Sequence, residues 1–150
     1  MSFDLYDPKE LLFLPLGGSE QFGINFNVYI HKGQLLLIDC GIGFADERYP
    51  GIDLLLPDIS LVEEYRDSIA GMIITHAHED HVGAVAYLWN RLQCPIYTSK
   101  FTGEVLRKKL EEQNIKKAQI KIIEPHKPVK IGAFKTVFIP VAHSIPDAMA

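Results

Sequence analysis

Three imidazoles and the Asp80 carboxylate share the six positions 76–81, in the segment Thr75-His76-Ala77-His78-Glu79-Asp80-His81. Half of the chain's six histidines fall there. Buried imidazole and carboxylate groups cost free energy unless they are paired, so four in one tight turn need solvent or a cation. Side chains alternate along extended backbone, which points His76 and His78 to one side, where both can reach one ion. The chain must then turn into a helix, directing Asp80 and His81 toward a neighbouring point. That geometry favours two metal ions. Zinc accepts imidazole nitrogen and carboxylate oxygen at roughly 2.0–2.2 Å, and catalytic zinc sites keep a position open for water. Paired ions about 3.5–4 Å apart lower the pKa of a shared water and clamp both oxygens of a displacement at phosphorus. The competing explanation is an exposed His-rich turn satisfied by solvent.

The elements that must position this cluster follow from apolar spacing and turn residues. Residues 72–75 form a brief apolar run after Gly71 that reads as a buried strand leading into the cluster. Val82, Val85, Ala86, Leu88, Trp89 and Leu92 recur at helical spacing, so the spacing predicts a helix over 82–92 that leaves the cluster directly. Upstream, residues 11–16 read as a strand closed by Gly17-Gly18, and 26–30 and 35–38 as a hairpin turning at Lys32-Gly33. Residues 41–57 show little periodicity. Ser60 and Glu63 have capping-box spacing, predicting a helix over 61–67. Downstream, strands are expected at 96–98, 120–123 and 134–141, the last reaching His143, with an amphipathic helix at 102–113. Strands with helices between some of them and hairpins elsewhere imply a layered α/β domain.

With 47% hydrophobic and 23% charged residues over 150 positions, the composition is that of one ordinary globular domain. No apolar run approaches a membrane span, and the acidic start (Asp4, Asp7) lacks the layout of a signal peptide, so a cytoplasmic location is expected. Cys40 and Cys94 suggest neither a disulfide framework nor a thiolate metal site, and each is expected as a small buried hydrophobe. The net charge of −4 conceals a split: residues 1–99 carry 5 basic and 14 acidic side chains, and residues 100–150 carry 10 basic and 5 acidic. Lys108, Lys109, Lys116 and Lys117 belong to the basic part. They can face a polyanion, since Lys and Arg dominate affinity for phosphate backbones, or form the solvated face of a surface helix.

His-x-His-x-Asp-His after a short apolar strand resembles the signature of the metallo-beta-lactamase superfamily. The resemblance implies an α/β fold, the metallo-beta-lactamase αββα sandwich, with metals at one edge. It implies that His76, His78 and His143 bind one zinc and Asp80 and His81 the second, Mn2+ or Mg2+ being the other ions considered. Asp80 and His81 are thereby the catalytic candidates. Asp39 would buttress the metal loop. On residues alone Asp39, before Cys40-Gly41, reads equally well as a turn former. His143 opens the polar stretch His143-Ser144-Ile145-Pro146-Asp147 after a predicted strand, whereas His31 and His126 match no motif and are expected at the surface.

Within the superfamily, the glycine-rich residues 16–25, the segment 53–58 and residues 143–147 resemble ribonuclease J of the beta-CASP group. That resemblance implies a zinc-dependent RNase, acting as a 5′-to-3′ exonuclease on 5′-monophosphorylated RNA and as an endonuclease, in a homo-oligomer. It also implies a bridging Asp and a final His ligand, a beta-CASP domain and a C-terminal domain. None of these maps onto residues 1–150; Asp147 is too close to His143 to be the bridging Asp. The chain is therefore expected to be the N-terminal portion of the fold, inactive alone. Alternatives are a thioesterase or beta-lactamase of the same superfamily, or a non-catalytic RNA-binding scaffold.

Overall fold

Phe26, Val28 and Ile30 turn inward while Asn27, Tyr29 and His31 do not, the period-two pattern that commits residues to a strand with one buried face. The computed structural model describes residue 7 and residues 9–150, so Asp4 lies outside the described residues. A six-stranded sheet runs in the order β1 (Leu12–Gly17), β2 (Phe26–His31), β3 (Gln34–Ile38), β6 (Ile69–Ile74), β7 (Ile96–Thr98) and β8 (Ile120–Ile122). β1, β2 and β3 pair antiparallel, and β3, β6, β7 and β8 pair parallel. Between β3 and β6 lie a small ladder, β4 (Gly43–Phe44) with β5 (Leu54–Leu55), and helix α1 (Ser60–Glu64).

Alternate residues of the central strands face two different cores. Leu35, Leu37, Met72, Ile74 and Ile96 pack against α1, α3 (Val85–Leu92) and α4 (Lys100–Glu112) through Val62, Leu88, Leu92, Leu106 and Leu110. Leu36, Ile73 and Tyr97 face the other way and meet Ile131, Phe138 and Met149. That second layer is an antiparallel hairpin, β9 (Pro128–Ile131) and β10 (Phe134–Val137), with the chain that follows it. It covers the face only in part. A groove of about 250 Å³ stays open beside Tyr29, Ile38 and Phe138, and Val137, Ile139 and Val141 are exposed.

Several expectations need correction. The Ser60–Glu63 capping box does not form: Ser60 is already helical, and its N–H and hydroxyl both donate to Asp58, at 2.9 and 2.6 Å. The helix expected over 61–67 stops at Glu64, and a 3₁₀ turn, Arg66–Ser68, follows. The helix expected over 82–92 is two, because α2 (Glu79–Val82) begins inside the His cluster and the chain re-forms as α3 after Gly83-Ala84. The helix expected from 102 starts at Lys100, after Ser99 caps it by accepting from the Thr102 N–H. The strand expected over 134–141 ends at Val137; Pro140 has no N–H to continue a ladder, and its isolated bridge is to Met149. The hairpin partner β9 had no counterpart in the pattern. His126 is exposed as expected, but His31 is half-buried, with Nδ1 2.8 Å from the Glu10 carbonyl.

Among the described residues no helix is long and apolar enough to cross a membrane. Cys40 and Cys94 are free and buried, and burial pushes the Cys94 thiol up to about 12, which leaves it inert.

Met72 lies at the centre of the sheet with no exposed surface. Met72→Ala should lower the stability of the intact protein by about 2–5 kcal/mol, seen as an earlier urea midpoint at unchanged slope.

Candidate metal centre

Parallel strands β3 and β6 end side by side, and the chain leaving each one supplies the site. Asp39 follows β3 and Thr75 follows β6, and the two are joined directly. Asp39 accepts the Thr75 N–H at 2.8 Å and the Thr75 hydroxyl at 2.9–3.0 Å. Asp39 is only 4% exposed and has φ of 61°, a left-handed conformation that Asp tolerates better than most residues. Its second oxygen lies 2.8 Å from His81 Nδ1. The carboxylate therefore fixes the His81 tautomer, with the proton on Nδ1 and the Nε2 lone pair free.

Backbone bonds hold α2 against the β3 exit. The N–H groups of Cys40 and Ile42 donate to the carbonyls of His81 and Glu79, and Ala84 N–H donates to Cys40. This approach needs Gly41, where a Cβ would lie 1.6 Å from the Asp80 carbonyl oxygen.

His76, His78 and His143 converge, their ligand nitrogens all within 4.8 Å of one another. His76 Nε2 and His143 Nε2 are 3.1 Å apart. Burial, then the charge of neighbouring His81, pushes His76 down to about 4, so its ring stays neutral and its lone pair is available. For His81 burial opposes the charged form, but the hydrogen bond and charge of Asp39, with Asp80, outweigh it and raise its pKa. Asp80 Oδ2 and His81 Nε2 form a second group, 3.4 Å apart. Two ligands at roughly 2.0–2.2 Å from one ion in tetrahedral geometry lie roughly 3.3–3.6 Å apart, so both donor sets suit a cation that takes nitrogen and oxygen.

The six-position cluster and His143, 67 residues from His76, thus occupy one end of the parallel strands. Lys116 and Lys117 do not. They are exposed on the connection between α4 and β8, at the edge where the parallel strands begin. Lys108 is exposed on α4, and Lys109 pairs with Glu79 at 2.6 Å. Asp147 turns away from the imidazoles, its carboxylate accepting the Phe101 N–H at 3.3 Å. Asn25, which carried no expected role, reaches the site: its Nδ2 lies 3.2 Å from both Asp80 Oδ2 and His81 Nε2. Its partner Asp80 lies 55 positions away, beyond the reach of any local pattern.

The model of the metallo-beta-lactamase superfamily matches residues 20–146. The chain belongs to the metallo-beta-lactamase superfamily. Among curated members it is 40% identical to ribonuclease J of Sinorhizobium meliloti over 152 residues, covering 98% of this chain and 27% of that protein. Ribonuclease J of Mycolicibacterium smegmatis is 38% identical over 144 residues, covering 95% of this chain and 26% of that protein. The chain spans about a quarter of the length of these relatives. Among solved structures, the metallo-beta-lactamase fold protein YhfI of Bacillus subtilis superposes with a TM-score of 0.62 at 17% identity, over 90% of this chain and 54% of that one. A B3 metallo-beta-lactamase with an active-site glutamic acid gives 0.59 at 16% identity, over 91% and 52%. Both likenesses concern the superfamily fold alone.

Asp39→Asn keeps the side chain's shape but turns an amide toward the Nδ1 proton of His81, favouring the wrong tautomer. Zinc affinity of the intact protein, measured by competition with a chelator, should fall about 10–100-fold.

Proposed function

We propose that this chain carries the first part of the catalytic centre of a zinc-dependent, ribonuclease J-like hydrolase that cleaves RNA phosphodiesters in RNA maturation and decay, as a 5′-to-3′ exonuclease and endonuclease. The observation that carries this reading is the convergence of His76, His78 and His143 beside the Asp80–His81 pair, in a chain 38–40% identical to ribonucleases J. In this reading His76, His78 and His143 hold one ion and Asp80 and His81 hold the second, with Mn2+ or Mg2+ as the alternative metals. When bound, the ions would supply a water of lowered pKa and positive charge facing the phosphoryl oxygens.

The chain's own residues do the rest. Asp39 keeps the His81 proton on Nδ1, so that Nε2 faces the site. Thr75, held by Asp39 through both its N–H and its hydroxyl, sets where His76 leaves β6. Its hydroxyl lies 2.9 Å from His76 Nδ1, which leaves Nε2 of that ring turned toward His143. Ser144 Oγ, 3.5 Å from His78 Nε2, lies beside the imidazole triad, where it would meet a substrate oxygen. The substrate is RNA with a 5′-monophosphate, the setting is the cytoplasm, and the working form is a homo-oligomer. Lys109, tied to Glu79 inside the motif, is the basic residue with a direct route to the site; Lys108, Lys116 and Lys117 would contact RNA only farther out.

His78→Ala in the intact protein should reduce cleavage of a 5′-monophosphorylated RNA at least 100-fold, on the order of the loss expected when one ligand of a catalytic metal is removed, while RNA binding persists. A thioester and a cephalosporin assayed beside the RNA should not turn over. Hydrolysis of the thioester alone would transfer the assignment to a thioesterase, and cleavage of RNA unchanged in the variant would favour a non-catalytic RNA-binding role.

A further inference from the structure

Asn25 closes the glycine-rich loop immediately before β2, and its backbone and side chain both engage the metal loop. Its N–H donates to the Asp80 carbonyl at 3.0 Å, and its own carbonyl accepts the Gly41 N–H at 3.0 Å. The carboxamide Nδ2 donates to the same Asp80 carbonyl at 3.0 Å. It also lies 3.2 Å from Asp80 Oδ2 and 3.2 Å from His81 Nε2. With Asp39 holding the Nδ1 proton of His81, all three groups facing Nδ2 are acceptors, whereas an amide nitrogen has two hydrogens. One hydrogen serves the carbonyl; the other is shared between the carboxylate and the imidazole.

Gly18, at φ +83°, packs so closely that a Cβ there would lie 2.4 Å from Asn25 Oδ1. The carboxamide is thus wedged between the glycine-rich loop and the first turn of α2.

We propose that Asn25 is a positioning residue, whose carboxamide holds the Asp80 carboxylate and the His81 imidazole side by side as ligands of a second divalent ion. The proposal rests on the two-ion reading given above. An ion at His81 would take the single Nε2 lone pair, and the Nδ2 hydrogens would keep their bonds to the Asp80 carbonyl and carboxylate. The side-chain hydrogen bonds of Asn25 reach Asp80 and His81 and none reaches His76, His78 or His143, so its effect should fall on the second ion far more than on the first.

The test titrates the intact, metal-stripped protein with Zn2+ against a chromophoric chelator, as wild type, Asn25→Leu and Asn25→Ala. The wild type should take two equivalents. Both variants should take the first with wild-type affinity and the second about 10–100-fold more weakly. Unchanged affinity for the second equivalent overturns the role of Asn25. So does parallel weakening of both equivalents, which marks a general structural part. A single equivalent in the wild type overturns the two-ion reading itself, and with it this proposal, before any variant is compared. If leucine disturbs the circular dichroism spectrum, the alanine variant, which only removes atoms, carries the comparison.

Discussion

The Asp39 carboxylate sits almost out of contact with solvent at the point where two parallel strands end, and such a group must have its lone pairs filled. Thr75 fills them from one side and His81 from the other. The requirement joins the exit of β3 to the exit of β6 and to the first turn of α2. Each of those segments owes its place to the sheet or to α2, but their mutual orientation depends on this one group. Without it, His81 would lose the acceptor that fixes its tautomer and Thr75 would lose the partner that sets where His76 begins.

Around that carboxylate the site is made of two kinds of material. The cluster at residues 76–81 is local: β6 delivers it, the helix begins within it, and bonds from Cys40 and Ile42 fasten it down. His143 and the turn after it are remote, arriving from beyond β10. The turn is anchored by Met149, whose N–H donates to the carbonyl of Thr75, the residue whose N–H is held by Asp39. Thr75 is therefore the junction through which both parts share one frame.

The cluster, the strands leading to it and the α/β layering were legible because apolar alternation and dense titratable residues are local signals. Where helices start and stop was less legible. Ser60 and Glu63 have the right spacing for a capping box, yet Asp58 performs the capping from outside the helix. The break at Gly83-Ala84 was hidden by apolar residues that continue across it in helical phase. Asn25 was illegible for a different reason: its partner Asp80 is 55 positions away, and no periodicity reports a contact made by the fold. The lysines show the converse, since a run of like charge says nothing about which end of a sheet it will occupy. Lys116 and Lys117 fall at the edge where the parallel strands begin, away from the imidazoles.

The long separation between His143 and its partner imidazole bears on how the molecule assembles. Contacts within residues 76–81 and across the neighbouring strands close short or moderate loops, whereas joining His143 to His76 closes one of 67 residues. Closure entropy grows only as the logarithm of loop length, so the thermodynamic penalty for the remote ligand is modest, but contacts of long range are met late on the way to the native state. The triad should thus be completed after the local cluster has formed, and a cation held by all three imidazoles would cross-link the exit of β6 to the chain beyond β10.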